Sequence, residues 1–440
     1  VKDDVYLHNV QAALTAKVFR LMRITKLHIE NFRGFRGTHE IEFSDSNIHA
    51  IVGVNGAGKT SVLEALEIVI LHIVEVILKE QDGSVYFEGE KYINIDSAKA
   101  TLICSLEKFD KTTIKYDIFK NNSEIKIDAP ASFNDSIFFN ELPILLSYSS
   151  NRSFNIDNDD AYDFSKIPYV YKVYHEAFKE STYFNEMFAW YLKQINIQNN
   201  EKVKRQNFDY EVPTLSSVNK AVNNFLNKLQ DTTLSDVGID TSRYTGDQVL
   251  VINKPSGQIE FDQLSSGEKM VIGMVLDIAY RMSIANPQLE NPLVSEGIVL
   301  IDELEQHLHP KWQMSILKAL TATFPNVQFI VTTHSPLVIN QLENHQLSIL
   351  DDFKIIPGKE VHKVYGRDVN AIIEDFMGAS HRPLDVKSLM NDIEKLLDED
   401  NPNTERARKK LDELKAIIDP NDYEVIKLET QIVMEEDETY

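Results

Sequence analysis

The chain has 440 residues, 43% of them hydrophobic, and a formal net charge of -23 from 68 acidic and 45 basic side chains. That length supports one large domain with insertions, or two domains. The acidic balance argues against a surface that coats nucleic acid all over and leaves room only for a local basic groove.

Cys104 is the only cysteine, which excludes a disulfide framework or a cysteine zinc site within the chain. A reducing compartment fits, and the expected location is cytoplasmic. Residues 1–21 are read as a helical extension or as an upstream start that is not the native one. They lack the basic-then-apolar pattern of a signal peptide. The fold is expected to begin at Met22.

From Arg23 to Ile29 apolar and polar residues alternate, which suits a strand with one buried face. His39 to Phe43 repeats the pattern. Ile48 to Val52 is a short apolar run of the kind found in a central parallel strand. Ser61 to Leu78 has neither Gly nor Pro and predicts a helix. Its most apolar part, Ile68 to Leu78, carries His72 and Glu75. It falls short of the roughly 20 apolar residues of a membrane span, so a buried or interface helix is expected and no membrane partner. Ala100 to Leu106 and Thr112 to Phe119 predict an antiparallel sheet, and Leu142 to Tyr148 predicts another strand.

From about 165 to 235 aromatic residues recur at helical spacing: Tyr169, Tyr171, Tyr174, Phe178, Phe184, Phe188 and Tyr191. They predict a helical insertion with the aromatic rings used for packing. Val249 to Phe261 returns to strands around a Lys254-Pro255-Ser256-Gly257 turn. A helix from Glu268 to Ile284, a buried strand at Gly297 to Ile301, a helix at Lys311 to Thr323 and a strand at Val327 to Thr332 follow. The tail from Leu384 reads as helices. One stripe is Val386, Leu389, Ile393 and Leu396; the other is Ala407, Leu411, Leu414 and Ile418. Asn401-Pro402-Asn403 turns between them.

Chemistry enters at Gly53-Val54-Asn55-Gly56-Ala57-Gly58-Lys59-Thr60, which follows a strand and opens a helix. This is the context a phosphate-binding loop needs. Backbone N–H groups of Asn55, Gly56, Ala57 and Gly58 turn toward phosphate oxygens, and the helix N-terminus through Ser61 adds its positive end. Lys59 supplies a mobile charge to the β and γ phosphates, and the Thr60 hydroxyl is placed for Mg²⁺. A nucleoside triphosphate and Mg²⁺ are therefore the expected ligands. Ile298 to Ile301 is an apolar strand ending in Asp302 and Glu303. It would deliver Asp302 to the Mg²⁺ shell and point Glu303 at the attacking water as general base; the plainer reading is a strand capped by exposed acids. Phe329 to Thr333 is a third apolar strand, ending at His334-Ser335-Pro336. His307 and His309 alone make a weak metal site, with no third ligand in sequence. Ser265 with Glu268 fits a capping box at a helix start.

The segment Leu264-Ser265-Ser266-Gly267-Glu268, between the phosphate loop and the two carboxylates, resembles the signature of ABC-type ATPases. The resemblance implies an α/β fold: an ABC-type P-loop ATPase head, with a mixed sheet plus an antiparallel β lobe, a helical insertion and a helical C-terminal tail. It divides the chain into residues 1–21, a nucleotide-binding lobe at 22–160, an insertion at 161–245, a second lobe at 246–365 and a C-terminal helical region at 366–440. It further implies that Ser265, Ser266, Gly267 and Glu268 cap nucleotide held by a second copy. Ser266 stands where the family often has glycine. His334 would contact the γ-phosphate and the water. Glu305 to Pro310 would be the D-loop at the interface between copies. Arg33 falls where related ATPases place a basic residue near the nucleotide, and a surface charge explains it equally. Near Tyr148 and Asn151-Arg152 these proteins carry a Q-loop glutamine that this chain lacks; Arg152 is a candidate for phosphate sensing in its place.

Two more segments, Phe184 to Tyr191 and Gly366 to Gly378, resemble the ATPase subunit of Septu anti-phage systems, also found beside retrons. That implies self-assembly, as a dimer or higher oligomer, and a separate HNH nuclease subunit. Two other functions are weighed: a RecF-like repair ATPase that binds DNA directly, and a nucleotide-dependent scaffold with little hydrolysis.

Overall fold

Alternating and uniformly apolar strands sort into different sheets. The computed structural model describes residues 22–78, 92–107, 112–119, 125–129, 141–155, 169–175, 177–178, 181–183, 185–229, 234–399 and 402–438. The chain divides into two compact units, one ending at Arg367 and the other starting at Asp368.

In the first unit, the alternating segments β1 (Arg23–Glu30) and β2 (Thr38–Glu42) join β4 (Lys99–Glu107), β5 (Thr112–Phe119) and β6 (Ile125–Asp128) in an antiparallel sheet. Its order is β2-β1-β4-β5-β6. Leu27, Ile29, Leu102, Cys104, Ile114 and Tyr116 are fully buried on its inner face. The apolar runs form the second sheet: β3 (Ile48–Gly53), β7 (Ile144–Tyr148), β13 (Gly297–Ile301), β14 (Val327–Thr333), β15 (Leu347–Asp351) and β16 (Lys354–Pro357). The order is β16-β15-β3-β14-β13-β7, parallel throughout except where β16 runs back along β15. β3, β13 and β14 are buried along their whole length, as parallel strands covered on both faces must be.

The helices follow in chain order. α1 (Lys59–Leu78) opens at the phosphate loop. α2 (Tyr169–Tyr174), α3 (Asn185–Arg205) and α4 (Pro213–Lys228) make up the helical part of the predicted insertion. That segment is not helical throughout. β9 (Ser181–Tyr183) pairs in parallel with β8 (Ser153–Asn155), and β10 (Ser235–Thr241) already belongs to a meander with β11 (Gln248–Lys254) and β12 (Gly257–Glu260). Two of the aromatics are core, each with its polar end satisfied. The Tyr174 hydroxyl donates to the Pro143 carbonyl at 2.8 Å, and the Tyr191 hydroxyl sits 2.6 Å from Asn219 Oδ1. Phe184 and the stretch from 156 to 168 lie outside the described residues.

The meander feeds α5 (Ser266–Ala285), which is buried on nearly every side; a helix apolar all round is a central one. The predicted helix at Lys311 to Thr323 is instead two, α6 (Pro310–Gln313) and α7 (Ile316–Thr323). Ser315 leaves helical geometry at φ -139° and its hydroxyl turns back to the Lys311 carbonyl, 3.4 Å away. Serine competes with the helix for its own backbone. α8 (Pro336–Ile339) follows β14.

Among the described residues, the regular elements of the second unit are all helices. α9 (Val369–Met377) is capped by Asp368, which accepts from the Asn370 and Ala371 amides, and ends at Gly378 in a left-handed conformation. α10 (Leu384–Leu397), α11 (Thr404–Lys415) and α12 (Tyr423–Glu438) share one core. Val386, Ile393, Ala407, Leu411 and Leu414 from the two predicted stripes meet Val425, Leu428 and Ile432 of α12 there. Asn403 caps α11 by accepting from the Arg406 amide; Asn401 lies outside the described residues. Among the described residues no helix is long and apolar enough to cross a membrane.

Candidate active site

Because β3, β14, β13 and β7 are adjacent and parallel, their C-terminal ends open on one side, where ligands of such sheets bind. β3 ends in the phosphate loop and β13 ends in Asp302 and Glu303. β14 ends before His334, and β7 ends just before Arg152. Residues far apart in sequence thus reach one place.

The phosphate loop turns at Gly58, whose φ of 103° is closed to a side chain. Lys59 is buried, and its Nζ donates to the Gly53 and Val54 carbonyls at 2.9 and 3.0 Å. Burial lowers its pKa, against the pull of Asp302, Glu303 and Glu305. The Thr60 hydroxyl donates to Asp302 Oδ2 at 3.1 Å. The other carboxylate oxygen, Oδ1, accepts from the Thr332 hydroxyl at 2.5 Å. These two hard oxygen groups suit Mg²⁺, which keeps waters and phosphate oxygens for the rest of its shell. Asp302 and Thr60 would hold it.

Glu303 has φ 48°, a conformation that costs a non-glycine residue about 1–3 kcal/mol and persists only where the surroundings impose it. Its amide donates to Thr332 Oγ1 at 2.8 Å, and its carbonyl accepts from Arg152 Nη2 at 3.1 Å. Thr332 therefore serves both carboxylate residues. Sequence reasoning passed over it as part of an apolar strand.

His334 is placed by Glu305, another residue the sequence did not single out for this role. One oxygen of the buried Glu305 carboxylate accepts the His334 amide at 2.6 Å and lies 2.9 Å from Nδ1 of its ring. The carboxylate holds the imidazole pKa above its ordinary 6.5. Burial would raise the Glu305 carboxyl, but the bonds from His334 keep it below its ordinary 4.5. The sign follows. The stabilisation from charged His334 is fully present below pH 6.5 and is lost as pH rises through the raised value. That from ionised Glu305 is present above 4.5 and is lost as pH falls through the lowered one. The pair is thus strongest between those two ordinary values. Glu305→Gln is expected to bring the His334 imidazole back toward 6.5 or below. Titration of its ring protons by NMR reads this directly, and an unchanged midpoint would show that Glu305 does not set it.

The predicted signature residues begin α5. Ser265 is its N-cap, accepting from the Glu268 amide at 3.3 Å, while a Glu268 oxygen accepts from the Ser265 amide and hydroxyl, both at 2.8 Å. The capping box is therefore present in full. Glu268 also accepts from Lys254 at 2.9 Å. Burial alone would raise its pKa, but Lys254 and Ser265 hold it below the usual carboxylate value. Ser265 and Ser266 face solvent. Gly267 is needed by its own chain: a Cβ there would lie 2.3 Å from the His307 carbonyl. The signature turn and the loop after Glu303 are thus in backbone contact within one chain.

Two sequence candidates have other partners. Arg33, at φ 50°, pairs with Glu64 of α1 at 2.5 Å and stacks over the Tyr92 ring at 5.4 Å; the structure accounts for it as an ion pair. His309 caps α6 by accepting from the Lys311 amide. Among the described residues no group of three or more His, Cys, Asp or Glu side chains is placed to hold a metal. One neighbour had no sequence signal. Phe353, in the β15–β16 turn at φ 60°, donates its amide to the Ala57 carbonyl at 3.2 Å, and its ring crowds Gly58 and Gly34.

A family model described as "AAA domain, putative AbiEii toxin, Type IV TA system" matches residues 48–340, more than half of the chain. The chain belongs to this family. It is an ABC-type ATPase of the retron and Septu kind. It is 30% identical over 401 residues to "Retron Vc95 probable ATPase" of Vibrio cholerae, covering 80% of this chain and 77% of that protein. "Retron Ec83 probable ATPase" of Escherichia coli is 26% identical, with 98% and 91% covered. "Septu protein PtuA" of Bacillus thuringiensis is 33% identical over a shorter match, 34% of this chain and 41% of that one.

Proposed function

We propose that this chain hydrolyses ATP slowly, that two copies close face to face over the nucleotide, and that closure gates a separate HNH nuclease in anti-phage defence. The observation that carries the hydrolytic part is the contact between Thr60 and Asp302, which joins the start of α1 to the end of β13. Around it, Lys59 exchanges its two carbonyl partners for phosphate oxygens. Glu303 takes the proton from the attacking water. His334, its imidazole pKa raised by Glu305, faces the γ-phosphate. Mg²⁺, when bound, neutralises charge between phosphate oxygens.

Closure over a second copy is supported by the exposed start of α5. Ser265 and Ser266 face solvent, and the helix N-terminus behind them favours an anion. Assembly, nuclease partner and role in defence rest on the likeness to the Septu and retron ATPases.

Lys59→Ala is expected to weaken ATP binding at least 100-fold, an effect of about 3 kcal/mol, with folding intact. Fluorescence anisotropy of a labelled ATP reads it; wild-type affinity in this variant would remove the phosphate loop from the site. Light scattering of the wild-type chain with and without ATP tests the closed pair, and co-purification with a co-expressed HNH protein tests the nuclease. DNA binding by the isolated chain that weakens steeply with salt would instead favour the direct DNA reading.

A further inference from the structure

Arg152 lies just past β7 and is 9% exposed. Its Nη1 donates to the Asp302 carbonyl at 2.5 Å and to the Ser149 carbonyl at 3.0 Å, and its Nη2 donates to the Glu303 carbonyl at 3.1 Å. Its Nε is buried without a hydrogen-bond partner. These bonds all run to main-chain oxygens, and two of the carbonyls belong to the carboxylate pair itself.

We propose that Arg152 is the positioning residue of the hydrolytic base, clamping the strained turn that aims Glu303 at the attacking water. The inference rests on Glu303 being that base. With Thr332 on its amide and Arg152 on its carbonyl, both backbone polar groups of Glu303 are fixed. That is how a φ of 48° is held at a residue with a side chain. The planar fork of a guanidinium spans two successive carbonyls, which an ammonium does not reproduce. The cation is retained at a cost: burial lowers its pKa to about 10, against the pull of Asp302, Glu305 and Glu303. Arg152 occupies the stretch where related ATPases carry the Q-loop glutamine, but it works from behind the carboxylates, with these bonds committed to the backbone. This replaces the phosphate-sensing role expected from its sequence position.

The test is a split of kcat from KM in the full chain. Arg152→Lys is expected to lower kcat about 10-fold or more, and Arg152→Ala on the order of 100-fold, since small misplacements of reacting groups cost that much. KM and ATP affinity should stay within about twofold of wild type. Millimolar guanidinium, far below denaturing levels, should restore part of the alanine variant's kcat. If alanine at this position prevents folding, the lysine variant carries the test. Wild-type kcat in folded Arg152→Lys, or loss of ATP affinity in step with kcat and no guanidinium rescue, would overturn the proposal. Glu303→Gln is run in parallel: normal turnover there defeats the assignment of the base, whereas slow Glu303→Gln beside unimpaired Arg152→Lys defeats Arg152 alone.

Discussion

Glu303→Gln should hold the chain in its ATP-bound, paired form. The substitution keeps the side chain's size and should leave the backbone clamp in place, because Thr332 and Arg152 bond to the amide and carbonyl of residue 303 rather than to its carboxylate. What is lost is the acceptor for the water's proton. A positioned general base is worth roughly 10²–10⁴-fold in rate, so kcat should fall by about 10²-fold or more with ATP affinity nearly unchanged. Lys59, Thr60 and Asp302 remain to hold nucleotide, and opening that depends on hydrolysis is blocked. A phosphate-release assay and light scattering with ATP check the two halves separately. Normal turnover would remove Glu303 from the role of base. Slow turnover without accumulation of a larger species would leave the base in place and count against closure driven by ATP.

The sequence revealed most about residues whose chemistry is stated by their neighbours. Gly58, Lys59 and Thr60 stand between an apolar strand and a helix, and Asp302 and Glu303 end another apolar strand, so their places at the ends of β3 and β13 follow from local pattern. The central strands were legible for a similar reason: β3, β13 and β14 are short apolar runs buried along their whole length. The residues that were missed act through contacts with no local signature. Thr332 is one threonine in a strand, yet it bonds both carboxylate residues because β14 lies next to β13. Glu305 reads as loop until folding puts it under His334. Gly267 also has a neighbour that no motif announces: a Cβ there would meet the His307 carbonyl of its own chain. The break at Ser315 was hidden because the sequence on either side is helix-forming. Thr332 required knowing which strands are neighbours, and that is set by chain crossings rather than by composition.

The same distinction governs the largest expected loss of stability, at Asp277. This residue lies on α5 beyond the signature and carries no motif, but it is 3% exposed and surrounded by buried polar groups. The Tyr148 hydroxyl donates to its Oδ2 at 2.7 Å, and Arg281 Nε donates to its Oδ1 at 2.8 Å. Arg281 in turn donates to the carbonyls of Val173 and His175, and the Tyr148 carbonyl accepts the Asp302 amide at 2.8 Å. Burial favours the neutral forms of both partners. It would lower the Arg281 pKa, yet Asp277 and Tyr148 hold it above its ordinary value, and the Tyr148 phenol is pushed well above its own. Asp277→Ala therefore strands a buried cation and a buried hydroxyl together. Breaking one side of a buried pair costs about 3–5 kcal/mol, and for a chain of this size the melting temperature should drop by on the order of 10 °C. The double variant Asp277→Leu with Arg281→Met removes the charge as well as its partner and should recover much of that loss, since apolar replacement of a whole buried pair is often close to neutral. Thermal denaturation of the two variants decides the cause. A double variant as unstable as the single one would mean that lost packing, not an uncompensated charge, sets the cost. Because the chain of bonds from Arg281 ends on the amide of Asp302, the single variant should also slow turnover at temperatures where it is still folded. That would mark α5 as a support for the carboxylates of its own chain.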